Sequence, residues 1–139
     1  MPEIDPYALP TVGEVIAENL NADADFRGEW HRLALARHVA VQLIAYRADN
    51  GMTQKDLAGK LGISQPRVAV LESGEKNPRI ETLIEITRQT GIEFAVDVRP
   101  AEADSPLMTK QAKAQTVEEH DGVAVLTASA PARRPAAAR

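Results

Sequence analysis

Few side chains in this 139-residue chain are suited to covalent or metal chemistry. There is no cysteine, which excludes a disulfide framework or a thiolate zinc site and makes a reducing cytosol the natural setting. His31 and His38 lie seven apart, on one face of a helix. No cysteine or carboxylate cluster completes a metal site around them, so they read as surface or interface histidines. His120 sits in the solvated charge run E-E-H-D. No nucleophile is matched to a base, no phosphate loop occurs and no carboxylates are paired, so the chain does not read as an enzyme and calls for no cofactor. What remains is the hydrogen-bonding chemistry of Thr53–Gly74, T-Q-K-D-L-A-G-K-L-G-I-S-Q-P-R-V-A-V-L-E-S-G. It reads as two short helices joined by a tight turn, the second presenting Gln65, Arg67, Val70 and Ala69 outward. That is the pattern of a helix-turn-helix, whose second helix enters the major groove of DNA.

The elements that must position those side chains can be read from capping and periodicity. Thr53 caps the first helix of the pair, with Asp56 where the helix dipole favours an acid. Leu57, Ala58 and Leu61 form its buried face. Gly62 sits at the sharp turn, where a Cβ in the left-handed conformation costs about 1 kcal/mol. Ser64 caps the second helix, Pro66 falls in its first turn, Val68 and Leu71 face inward, and Ser73-Gly74 stops it. Asn77 then caps a further helix with Pro78 at its first position; Ile80, Leu83, Ile84 and Thr87 give it an apolar face and Gly91 ends it. The period next changes to two: Ile92, Phe94, Val96 and Val98 alternate with Glu93, Ala95, Asp97 and Arg99, a strand signal. A lone strand needs a partner for its edges. One candidate is the same strand of a second subunit, antiparallel about a two-fold axis; the other is Gly122–Ala128. The long polar segment between the two runs favours the dimer.

Upstream, residues 1–10 hold three prolines and no periodic pattern. Thr11 and Glu14 have the spacing of a capping box, and Val12, Ile16 and Leu20 mark a short amphipathic helix that Asn21 and Asp23 break. Asp23 or Asp25 can cap the next helix. From Phe26 to about Asp49 the chain reads as one long helix or two in line, ending at Asn50-Gly51. Phe26, Trp30, Leu33, Ala40 and Ile44 share one face, and Val39, Leu43 and Tyr46 form an adjacent stripe. Phe26 and Trp30 fall outside the small domain's own core. The expected organisation is an acidic helical extension over 1–32, a helix-turn-helix domain over 33–91, a dimerisation strand over 92–100 and a largely disordered tail over 101–139. The tail is rich in Ala, Pro, Ser and charge, and within it Val123–Leu126 is the segment expected to order when something binds it.

The formal net charge of −4 hides an uneven distribution. Residues 1–30 carry seven acids against Arg27 alone, whereas residues 37–90 carry eight bases against six acids. Nucleic-acid affinity depends on the local field at the contacting face, so the second region is compatible with DNA although charge alone does not point to it. No apolar run is long enough to span a bilayer. The opening M-P-E-I-D-P lacks the basic and apolar regions of a signal peptide, so a cytoplasmic protein with no membrane partner is expected.

Residues from about Leu43 to Gly91 resemble the Cro/C1-type (Xre-family) helix-turn-helix domain of phage repressors and bacterial regulators. The resemblance rests on T-Q-x-x-L-A-x-x-L-G-I-S-Q, V-x-x-L-E-x-G and N-P-x-x-E-T-L in correct spacing. The leading D-F-R-G-E-W and the strand in place of a fifth helix are similar to HigA- and HipB-type antitoxins. The implied fold is mainly α, a lambda-repressor-like bundle with an N-terminal helical extension and one C-terminal β-strand used for dimerisation. The resemblance also implies roles. Gln65 reaches base edges, where an amide can bond adenine at N6 and N7; Arg67 contacts guanine or a phosphate; Val70, with Pro66 beside it, meets a thymine methyl. Gln54, Ser64, Lys76 and Arg79 hold phosphates, Gln54 also bracing Gln65. Arg47 and Glu72 lock the domain's first helix to the recognition helix within a frame of Ala58, Gly62, Val68 and Leu71. Pro66 and Val70 stand where family members often carry hydrogen-bonding side chains, so one domain discriminates weakly and dimerisation becomes a requirement. The implied activity is that of a DNA-binding repressor, with double-stranded operator DNA and a second copy as partners, and in the antitoxin case a small basic toxin. A stand-alone regulator and an interaction adaptor are the other readings.

Overall fold

Local capping signals decide where most of the helices begin and end. The computed structural model describes residues 9–104, 114–120 and 123–128. Among them it forms α1 (Val12–Ala22), α2 (Ala24–Arg32), α3 (Ala34–Asp49), α4 (Gln54–Leu61), α5 (Gln65–Ser73), α6 (Ile80–Thr90), β1 (Ala114–His120) and β2 (Val123–Ala128). The chain divides into two compact units, Met1–Arg32 and Leu33–Arg139.

In the first unit the Thr11–Glu14 capping box forms in both directions. The Glu14 amide donates to Thr11 Oγ1 at 3.2 Å and the Thr11 amide to Glu14 Oε2 at 2.7 Å. Of the two carboxylates offered to α2, Asp23 is the one used: its Oδ1 accepts from the Asp25 and Phe26 amides at 2.9 and 3.0 Å. Arg27 Nε donates to the Leu20 carbonyl at 2.7 Å, satisfying an orphan acceptor in the last turn of α1. Phe26 and Trp30 stack with ring centroids 5.9 Å apart. No residue of α1 or α2 is fully buried.

Leu33, at φ −97° and ψ 12°, separates α2 from α3, so of the two readings of Phe26–Asp49 the structure has two helices. Within α3 the expected stripe residues Val39 and Leu43 are buried, as are Ala40 and Ala36, whereas Ile44 is exposed. The core joins Val39 and Leu43 to Leu57, Ala58 and Leu61 of α4, Val68 and Leu71 of α5, and Leu83 and Ile86 of α6. Burying one such aliphatic side chain contributes about 1.5–3 kcal/mol. The Thr53–Asp56 capping box opens α4, and Gly62 ends it in the left-handed conformation at φ 66°. Gly74 ends α5 at φ 69°, where an added Cβ would also meet Arg37 Cα at 3.5 Å.

Downstream of α5 the expectations are met only in part. α6 begins at Ile80 with Arg79 as its N-cap, two residues later than Asn77-Pro78 suggested. Asn77 caps another helix: its Oδ1 accepts from the Ala36 amide in the first turn of α3 at 3.1 Å. The apolar face expected for α6 is only partly buried, because Leu83 and Ile86 face the core while Ile80 and Ile84 face out. The Ile92–Arg99 segment forms no ladder among the described residues. Ile92 and Phe94 pack on the margin of the core, whereas Val96 and Val98 are exposed. The run at Gly122–Ala128 does not pair with it; Val123–Ala128 pairs antiparallel with Ala114–His120, His120 opposite Val123, inside the tail read as largely disordered. Asp121-Gly122, the dipeptide between these strands, is the sequence signal for such a hairpin.

Because Asn77 supplies a cap across 41 residues of sequence, Asn77→Ala is expected to destabilise the helix-turn-helix unit by about 1 kcal/mol. Asn77→Asp should retain most of the stability. Urea denaturation followed by far-UV circular dichroism measures both, and an unchanged midpoint in the alanine variant would remove the assigned role.

Candidate nucleic-acid interface

Helix α5 buries only Val68 and Leu71. Such a helix keeps most of its surface for a ligand but is held by one ridge, so its orientation needs further ties. They are polar. Arg47 Nε and Nη2 donate to the two carboxylate oxygens of Glu72 at 2.5 and 2.9 Å, a bidentate pair joining α3 to α5. Arg47 Nη1 donates to the Met52 carbonyl at 3.0 Å, fixing the loop before α4. Gln54, the first residue of α4, donates its Nε2 to Glu72 Oε2 at 2.9 Å and accepts at Oε1 from Gln65 Nε2 at 3.0 Å. The expected lock between Arg47 and Glu72 is therefore present, and Gln54 does brace Gln65.

The direction of this chain of hydrogen bonds is set by Glu72. An ionised carboxylate only accepts, so Gln54 must turn its nitrogen towards it, and its oxygen is left to receive Gln65. Gln65 thus keeps its Oε1 and one N–H uncommitted at the start of α5. One acceptor and one donor on a planar amide are what bidentate recognition of adenine needs. Gln54 likewise keeps one N–H for a phosphate.

Around Gln65 the structure sorts the other expected contact residues. Pro66, Arg67 and Val70 are exposed, Val70 at 47%. The side chains of Arg67, Lys76 and Arg79 have no hydrogen-bond or ion-pair partner among the described residues, so their charge is available to an anion. Arg79 is the N-cap of α6, which moves the positive end of that helix two residues downstream of Asn77. Ser64 is the N-cap of α5 by position, but its hydroxyl makes no capping bond. Pro66 removes one of the two amides such a hydroxyl could serve, so the Ser64 side chain stays available for a phosphate. Ala58, Val68 and Leu71 are core residues and Gly62 forms the turn, as the frame required. Sequence reading missed Asn77 as the residue that fixes the start of α3; a helix-capping side chain supplied from another element leaves no local spacing to find.

Hydrogen bonds from the Arg47 guanidinium hold the Glu72 carboxyl below the usual carboxylate range; burial opposes the shift and the Gln54 amide adds to it. A folded-state value depressed below the ordinary unfolded one of about 4.3 gives stability that is complete above that pH. It is lost as pH falls through the lower, folded value. Glu72→Gln removes this dependence. The urea midpoint of the parent protein is expected to fall more steeply as pH drops below about 5 than that of the variant, the two converging in acid. Parallel profiles would show that the ion pair contributes nothing to folding.

Comparison with known proteins gives the same placement. The family described as Helix-turn-helix matches residues 43–96. An uncharacterized HTH-type transcriptional regulator of Haemophilus influenzae is 38% identical over 50 residues, 36% of this chain and 51% of that protein. Antitoxin HigA1 of Mycobacterium tuberculosis is 34% identical over 68 residues, 49% of this chain and 46% of that protein. An uncharacterized HTH-type transcriptional regulator of Sinorhizobium fredii is 31% identical over 64 residues, 46% of this chain and 82% of that protein. The chain thus spans about half the length of the first two relatives and most of the third. No solved structure matches. With α4 and α5 in the helix-turn-helix arrangement, the Arg47–Glu72–Gln54–Gln65 chain in place and these relatives alongside, the protein belongs to the Cro/C1-type helix-turn-helix family of transcriptional regulators.

Proposed function

We propose that this chain is a sequence-specific transcriptional repressor that binds double-stranded operator DNA as a homodimer and serves as the antitoxin of a toxin–antitoxin operon. The observation that carries the DNA reading is the Gln65 amide, oriented by Gln54 on the Arg47–Glu72 pair and left with one donor and one acceptor outward. Gln65 and Arg67 read base edges, Val70 and Pro66 give apolar contact, and Gln54, Ser64, Lys76 and Arg79 hold the backbone. One such domain discriminates by about 1–3 kcal/mol per good bidentate contact. Two half-sites about 34 Å apart bring the discrimination to a useful level. The Ile92–Arg99 segment is suited to join the subunits: Ile92 and Phe94 anchor it, and Val96 and Val98 continue the same alternation unburied.

The antitoxin role is supported by the likeness to antitoxin HigA1 and by the acidic residues 1–30, which suit a small basic toxin. A stand-alone regulator is the alternative, favoured by the relatives named only as HTH-type transcriptional regulators. Co-expression with the adjacent gene product separates the two. Co-purification of a small basic protein whose toxicity is neutralised supports the antitoxin; independent purification with promoter binding intact supports the stand-alone regulator.

Binding to the protein's own promoter tests the reader itself. Gln65→Ala combined with Arg67→Ala is expected to weaken specific binding by about a hundredfold or more at physiological salt, with the circular dichroism spectrum unchanged. Survival of tight binding in that variant would overturn the assignment of α5 as the reader. Lys76→Ala should weaken binding to all sequences alike and reduce the salt slope of log K by about 2 per dimer, one phosphate from each subunit.

A further inference from the structure

The helix α6 carries apolar side chains on two faces and its domain uses one of them. Leu83 and Ile86 are buried, whereas Ile80 and Ile84, one turn apart, are 62% and 46% exposed. At 3.6 residues per turn Ile80, Ile84 and Arg88 succeed one another along one stripe, with Glu81 beside it on the Arg88 flank. An exposed pair of isoleucines gains nothing from phosphates, and it marks a surface made to be covered.

The charges on the same face indicate by what. Glu81 lies in the first turn of α6 and Arg88 in its last, and both are exposed. Among the described residues the Glu81 side chain has no hydrogen-bond or ion-pair partner, and the Arg88 side chain reaches only Glu85, at 3.6 Å. An acid at one end of a stripe and a base at the other pair with themselves when two copies of the helix run antiparallel. About a two-fold axis near Ile84, Glu81 of each copy lies opposite Arg88 of the other, so the pair forms twice while the two Ile84 side chains meet at the axis. Such self-complementarity is what an isologous interface requires, and a partner of uniformly basic charge would leave Arg88 opposed by like charge. The exposed Val96 and Val98 lie a few residues past the end of this helix, on the segment already proposed to pair between subunits.

We propose that the outer face of α6, built on Ile80, Ile84, Glu81 and Arg88, is a homodimer surface that docks on α6 of a second copy of this chain. The inference rests on the dimeric reading above and names a surface that reading does not require.

Charge reversal with rescue tests it, with sedimentation equilibrium of the full chain giving the dimer dissociation constant and circular dichroism melts confirming the fold. Glu81→Arg and Arg88→Glu are each expected to raise that constant about tenfold or more, and the double exchange should restore it to within a few-fold of the parent. Ile84→Asp should leave the chain monomeric at concentrations where the parent is dimeric. The proposal is overturned if either reversal leaves the constant within twofold, or if the double exchange is no tighter than the single ones. A parent dimer that ignores these changes but dissociates in Val98→Asp overturns this surface alone and keeps the dimeric reading. A parent chain that is monomeric throughout overturns both. Variants that keep the dimer but no longer bind the co-expressed neighbour assign the face to that protein and overturn the proposal as well.

Discussion

The Glu72 carboxylate is the point on which the arrangement of the helix-turn-helix depends. It sits on α5 with its side chain only 5% exposed, it receives both prongs of Arg47 from α3, and it receives Gln54 from the start of α4. A buried carboxylate without such donors would be strongly unfavourable; with them, it ties three helices together at one atom pair. A hydrophobic replacement of similar volume could be equally stabilising, but it would carry no direction. The ionised group imposes one: donors must point in, so acceptors must point on, and that polarity passes through Gln54 to the Gln65 amide.

This arrangement answers a geometric difficulty. A helix that keeps most of its length exposed is not wrapped by its own domain, and α5 contributes only Val68 and Leu71 to the core. Two apolar side chains fix its depth but leave rotation about its axis weakly determined. The polar chain fixes that rotation from the opposite end of the helix to Gln65, and the Thr53–Asp56 capping box fixes the start of α4 from which Gln54 projects. Orientation of the Gln65 amide thus comes from side chains on three helices rather than from the packing of α5 alone.

What was legible in the sequence divides along the same line. Caps and turns were readable because their chemistry is local: Thr11 with Glu14, Thr53 with Asp56, and the glycines at 62, 74 and 91 each act within a few residues. The Arg47–Glu72 pair and the Gln54–Gln65 brace were reachable only through the family resemblance, since nothing local links residues 11 or 25 positions apart. Which apolar faces would be buried was legible only in part. α3 offered two stripes, of which Val39 and Leu43 are buried while Ile44 of the other is exposed, and α6 buries Leu83 and Ile86 but leaves Ile80 and Ile84 out; periodicity alone cannot choose between two stripes on one helix. Asn77 looked like the cap of the helix after it and serves instead the helix 41 residues before it.

The surplus stripe on α6 also bears on how such a protein could regulate. In the proposed dimer each domain brings one oriented amide and one guanidinium to the bases, too few contacts for a single domain to pick out an operator against non-specific DNA. Joining two domains adds their contact energies while the orienting entropy is lost once, so affinity for a two-fold site rises far more than affinity for either half. An interface of four isoleucines and two exposed ion pairs per helix pair is small by the standard of obligate dimers, and exposed ion pairs contribute little individually. Subunits held that loosely would exchange between monomer and dimer over the concentrations at which the operator fills. Repression would then track protein concentration more steeply than a permanent dimer allows, because assembly and DNA binding are drawn on together.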